Sequence, residues 1–75
     1  MKVFRTTEWL NADNQLEIHK LIKLTQEEMA GILNNSDTLT RIIQASGAPF
    51  SAMPQVSINR KTRTAMVAWV PNQEA

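Results

Sequence analysis

The sequence predicts an α+β fold: a four-stranded antiparallel sheet made of two β-hairpins, in ββααββ order, with a central helical pair on one face. Three observations lead there. A capping signature, Thr25-Gln26-Glu27-Glu28, opens a central stretch whose apolar residues keep helical spacing. Segments rich in β-branched and aromatic residues flank it on both sides. Turn-forming clusters at 11–14 and 59–63 divide each flank in two.

The first strand is expected over residues 2–10, KVFRTTEWL. Its alternation is imperfect, since Val3 and Trp9 share one parity and Phe4 and Leu10 the other. A bulge near Thr6-Thr7 would bring both aromatics to one face. Asn11-Ala12-Asp13-Asn14 reads as a turn, because Asn and Asp tolerate the left-handed region and bond their own backbone. In residues 15–24, Leu16, Ile18, Ile22 and Leu24 alternate as a strand, with Lys20 interrupting. As a helix, the same apolar residues would scatter around the axis, so the strand reading is preferred.

Residues 24–47 carry the helices. Thr25 can cap the first, with Glu28 reaching back to the Thr25 N–H, and two carboxylates meet the positive end of the helix dipole. Met29, Ile32 and Leu33 form its apolar face. The short polar run Asn34-Asn35-Ser36-Asp37 competes for backbone hydrogen bonds and suggests a break near Asn35. One bent helix is the alternative. Leu39, Ile42 and Ile43 form the second apolar face, Gly47 suits the position after the last turn, and Pro49 stops continuation. The loop between Pro49 and Pro54 leads to a strand at 55–59. A hairpin tip, Asn59-Arg60-Lys61-Thr62-Arg63, leads to the last strand at 64–70. Both faces of that strand are apolar, with Ala65, Val67 and Trp69 on one and Met66, Ala68 and Val70 on the other. It is therefore expected at the centre of the sheet, or under a partner. Pro71 ends it, and residues 72–75 read as a frayed tail.

A 75-residue chain makes one domain, residues 1–75. Chains of this size bury only about 60% of their unfolded surface, so the core is small. There is no cysteine, which excludes disulfides and thiolate metal sites. The absence is compatible with a reducing compartment. No apolar run is long enough to span a membrane, and the first residues lack a signal-peptide core, so the default location is cytoplasmic with no membrane partner. Net charge is +1 but uneven. Residues 1–37 carry four basic and six acidic side chains; residues 38–75 carry four basic and one acidic. Such polarity can orient a partner.

Catalytic chemistry finds no support. His19 is the single histidine, with no nucleophile beside it in the sequence. Glu27 and Glu28 are better explained by capping, and two glycines make no phosphate-binding loop. No catalytic residue, metal ligand or cofactor is assigned. The basic residues Arg60, Lys61 and Arg63 of the hairpin tip, with Arg41, are the candidate contacts to a partner, and Trp69 joins them if it is exposed, the core being the preferred place for a tryptophan in so small a domain.

Residues 24–43 resemble the helix-turn-helix of the Cro and phage-repressor class. Leu24-Thr25-Gln26-Glu27-Glu28-Met29-Ala30 is similar to the start of that motif, with Gln26 and the small Ala30 four apart. Asn34-Asn35 stand where the motif carries Gly and an apolar residue, and Leu39 falls one residue early. The resemblance implies a DNA-binding regulator using residues 25–46, with Thr38, Thr40, Arg41 and Gln44 facing DNA. It also requires a helix over residues 15–23. The first reading is a non-enzymatic binding module that docks on a macromolecule, in the first place a protein. Such small domains suit inhibitors and adaptors, including those of phages and mobile elements. Homodimerisation through residues 64–70 is compatible with either reading.

Overall fold

The computed structural model describes residues 1–34 and 37–71, the side chain of Leu33 excepted. Strands β1 (Lys2–Leu10), β2 (Leu16–Lys23), β3 (Gln55–Asn59) and β4 (Thr64–Trp69) form one antiparallel sheet in the order β1-β2-β4-β3. Helices α1 (Gln26–Asn34) and α2 (Asp37–Ser46) pack on one face, so the α+β expectation and its element order are met. The expected frayed tail at 72–75 lies outside the described residues, as does the link at 35–36.

Asn11 builds the first hairpin. Its carboxamide oxygen accepts from the N–H of Asp13 at 2.9 Å and of Gln15 at 3.0 Å. Asn14 takes φ 60°, which Asn tolerates better than most residues. The turn fixes the register, with Leu10 opposite Leu16, Trp9 opposite Glu17 and Thr7 opposite His19. The register shift falls between Val3 and Arg5, at Phe4, and not at Thr6-Thr7. It changes which parity faces the core. Val3, opposite Ile22, packs against the core, whereas Arg5, Thr7 and Trp9 lie on the other side.

β4 is central, as its two apolar faces imply. Ala65, Val67 and Trp69 are buried under the helices with Ile22, Leu24 and Ile42. Trp69 is only 8% exposed and belongs to this core, the placement preferred for it, so it does not join the candidate contacts. Lys20 interrupts the apolar alternation because it stands on the core side between Thr6 and Val67, half-buried. A long stem can cover apolar surface while its ammonium reaches water.

The first helix starts as the capping box requires. Glu28 N–H donates to Thr25 Oγ1 at 3.1 Å, and Thr25 N–H donates to Glu28 Oε1 at 2.8 Å. The same carboxylate accepts from the Met1 ammonium on both oxygens, at 2.9 and 2.8 Å. One side chain therefore ties the start of β1 to the start of α1. α2 turns Ile42 and Ile43 inward as expected, but Thr38 takes the inward place expected of Leu39. Thr38, Ile42 and Ser46, four residues apart, are buried, and Leu39 is 40% exposed. The physical reason is close helix packing. A Cβ on Gly31 of α1 would lie 3.0 Å from Thr38 Oγ1, a spacing that a small residue facing Thr38 permits and Leu would not. Ser46 closes the helix, donating to the Ile43 carbonyl at 2.6 Å and accepting from Ala48 N–H at 3.1 Å. Gly47 follows at φ 79°.

Two conditions of the helix-turn-helix resemblance are unmet. Residues Leu16–Lys23 are a strand, not the helix that the motif requires before α1. Thr38 is 7% exposed and packs inward, out of reach of a DNA groove.

The Met1 ammonium, followed by the backbone of Thr25, holds the Glu28 carboxyl below its ordinary value of 4.5. A lowered folded-state pKa contributes stability that is present above the unfolded value and lost as pH falls through the folded one. Urea titrations of wild type and Glu28→Gln at neutral and strongly acid pH should show the wild type losing more stability on acidification. Equal losses would mean that the ion pair contributes nothing.

Candidate interaction surfaces

The sheet face opposite the helices carries a cluster that no sequence motif announced. Glu17 and His19 alternate to this side of β2, and the hairpin register brings Trp9 and Thr7 opposite them. Beyond β2, Ala68 and Met66 of β4 and then Gln55 and Ser57 of β3 complete the surface. The Trp9 ring lies over His19, with centroids 3.9 Å apart and planes tilted by 50°. Trp9 is half exposed, whereas His19 is 7% exposed although no helix covers it. The indole is its cover. His19 Nε2 lies 2.5 Å from Glu17 Oε1, and Asn11 Nδ2 reaches the other carboxylate oxygen at 3.4 Å. His19 Nδ1 is buried without a hydrogen bond. No third His, Cys, Asp or Glu joins Glu17 and His19 in a group that could hold a metal, among the described residues. A hollow of about 290 Å³ lies beside the pair, lined by Arg5, Thr7, Trp9, His19, Leu21 and Met66.

This cluster was derivable in part. Strand alternation puts Glu17 and His19 on one face, but the turn expected at 11–14 would pair Trp9 with Leu16; the observed pairing of Trp9 with Glu17 and Thr7 with His19 follows from a five-residue connection, 11–15. The same alternation along β1 adds Arg5, and the bulge at Phe4 turns Val3 to the core side.

The second surface is one end of the sheet. Lys2 pairs with Lys23, and Lys23 pairs with Thr64 beside the β3–β4 turn. Lys23 Nζ donates to the Thr62 carbonyl at 2.6 Å, holding the turn against β2. Asn59 Oδ1 accepts from Lys61 N–H at 3.0 Å and Thr62 N–H at 3.2 Å. Arg63 takes φ 54°, and its carbonyl accepts from Leu24 N–H at 2.8 Å. Lys2, Arg5, Lys23, Arg60, Lys61 and Arg63 thus gather at one end of the sheet. None of them is in an ion pair among the described residues, where the pairs are Met1 with Glu28 and His19 with Glu17. Glu8, Asp13 and Glu17 belong to the opposite end, around the β1–β2 turn.

The structure therefore joins Arg60, Lys61 and Arg63 to cations from the first hairpin. Arg41 stands apart on α2, beside a hollow shared with Met1, Glu27, Glu28 and Gly31. Thr40, Arg41 and Gln44 are exposed. No described helix is long and apolar enough to cross a membrane. No family model matches this chain, and neither a curated protein nor a solved structure matches it.

The two tryptophans should separate by acrylamide quenching. The Trp69→Phe variant, which keeps Trp9, should quench strongly, and Trp9→Phe, which keeps Trp69, only weakly. Similar quenching in both would contradict the burial of Trp69 in the core.

Proposed function

We propose that the chain is a non-catalytic docking module that engages an acidic surface of a protein partner through the basic end of its sheet. The observation that carries this reading is the gathering of six cations there without an ion-paired carboxylate. Two different segments, the first hairpin and the second, supply them, so the cluster is a product of topology. The conformation of Arg63 adds support. Glycine populates the left-handed region at no steric cost, and a cation is held there instead, which points to a role for the side chain outside the fold.

A protein partner is favoured over nucleic acid by the rest of the charge. Net charge is only +1, and Glu8, Asp13 and Glu17 occupy the far end of the same sheet. A polyanion running along the molecule would meet attraction at one end and repulsion at the other. A bounded acidic patch meets only the first. Acting in this way, the module would serve as an inhibitor or adaptor of the protein that it covers.

The test is affinity capture from the source cells, with wild type and an Arg60→Glu/Lys61→Glu/Arg63→Glu variant as baits. In parallel, labelled oligonucleotides are titrated by fluorescence polarisation. The variant should lose the captured protein, and moderate salt should weaken capture by about tenfold or more, as expected for exposed charge pairs. Oligonucleotide binding that the triple reversal abolishes would overturn the protein reading. So would capture that the reversal leaves unchanged.

A further inference from the structure

We infer that the helix-free sheet face is the contact between two copies of this chain. The two copies stack face to face, related by a two-fold axis that crosses the strands. The face has the composition of an interface core. Trp9, Leu21, Met66 and Ala68 share it, and Trp9, the largest, is half exposed. The middle row across the strands is Thr7, His19, Ala68 and Gln55. These residues are short, apart from a histidine already folded under Trp9 and a glutamine at the edge.

The charges on the face select the occupant and the axis. Arg5 lies one row to one side of the middle row, opposite Leu21, and Glu17 lies one row to the other side, opposite Trp9. An axis along the middle row exchanges those two rows. Arg5 of one copy then sits over the Trp9–Glu17 row of the other, near a carboxylate and an indole face, and the exchange repeats by symmetry. An axis parallel to the strands, midway between β2 and β4, would instead place Arg5 over Ser57 and Lys23 over Thr64, with no carboxylate opposite either cation. The face is thus complementary to itself in one orientation and not in the other.

The area sets the strength. Four strands about 4.8 Å apart and five to nine residues long, at about 3.3 Å each, present on the order of 500 Å². Two copies then bury about 1,000 Å², near the lower bound for a specific interface, which implies a weak, reversible dimer. The molecule is only 17 Å thick in its thinnest direction, as a two-layer body with one uncovered layer should be. In the dimer, the basic ends point away from each other; Arg5 is taken into the contact, and the turn cations Arg60, Lys61 and Arg63 stay outside it.

The test is sedimentation equilibrium of the full chain over a wide concentration range, at low salt. Amide shifts followed over the same range locate the contact. Wild type should dimerise, with shifts concentrated in β1, β2 and β4 on the open face. Arg5→Glu and Glu17→Arg should each weaken the dimer by about tenfold. The double variant Arg5→Glu/Glu17→Arg should recover most of that loss. Because Glu17→Arg also removes the His19 hydrogen bond, Ala68→Arg, which keeps that bond, should abolish dimerisation as well. A chain that stays monomeric throughout overturns the inference and leaves the face to another partner. So does a dimer whose shifts map to the helices, or a double variant no better than the single ones.

Discussion

Burial of Ile22, Ala65 and Val67 beneath Ile42 is the contact on which the rest of the structure depends. All four are fully removed from water, and they join the two central strands to the second helix. Full burial of one such aliphatic side chain is worth about 1.5–3 kcal/mol, and only a handful of residues contribute at that level here. Total stabilities of small domains are of the same order as a few such terms. With no cysteine to cross-link the chain, local devices carry a large share. The Asn11 and Asn59 turns and the Thr25–Glu28 capping box are such devices, and each satisfies backbone groups that would otherwise be left open. Glu28 also takes the Met1 ammonium, linking the edge strand to the helical layer.

A two-layer molecule leaves one sheet face without a cover. That face holds its own partial solution, since Trp9 folds over His19 and the histidine is bound to Glu17. The arrangement shelters the imidazole at the expense of a half-exposed indole and an unbonded Nδ1. A buried ring nitrogen without a partner costs on the order of 1–3 kcal/mol, so the cluster is not optimised for fold stability alone. The charge layout has the same character. Like charges are concentrated at one end of the sheet, where mutual repulsion opposes folding.

Much of the fold was legible in local chemistry. The capping box, the Asn-rich turn, the prolines bounding the 49–54 loop and the two-sided apolar pattern of β4 each correspond to an observed feature. The site was less legible. Arg60, Lys61 and Arg63 were recognisable as a basic tip, but Lys2, Arg5 and Lys23 join them only through strand pairing. Trp9 and Trp69 are alike in sequence, and their opposite fates follow from which side of the sheet the helices cover. Leu39 and Thr38 exchange their expected roles because helix-to-helix spacing at Gly31 rewards a small residue over an aliphatic one.

By itself, then, the sequence determined the elements, their order and the turns between them, because capping, turn geometry and strand periodicity act over a few residues. Tertiary structure alone decided the position of the bulge at Phe4, the inward place of Thr38 on α2 and the meeting of six cations at one end. These depend on contacts between residues distant in the chain, where packing and register outweigh local preference. They also decide which side chains remain on the surface.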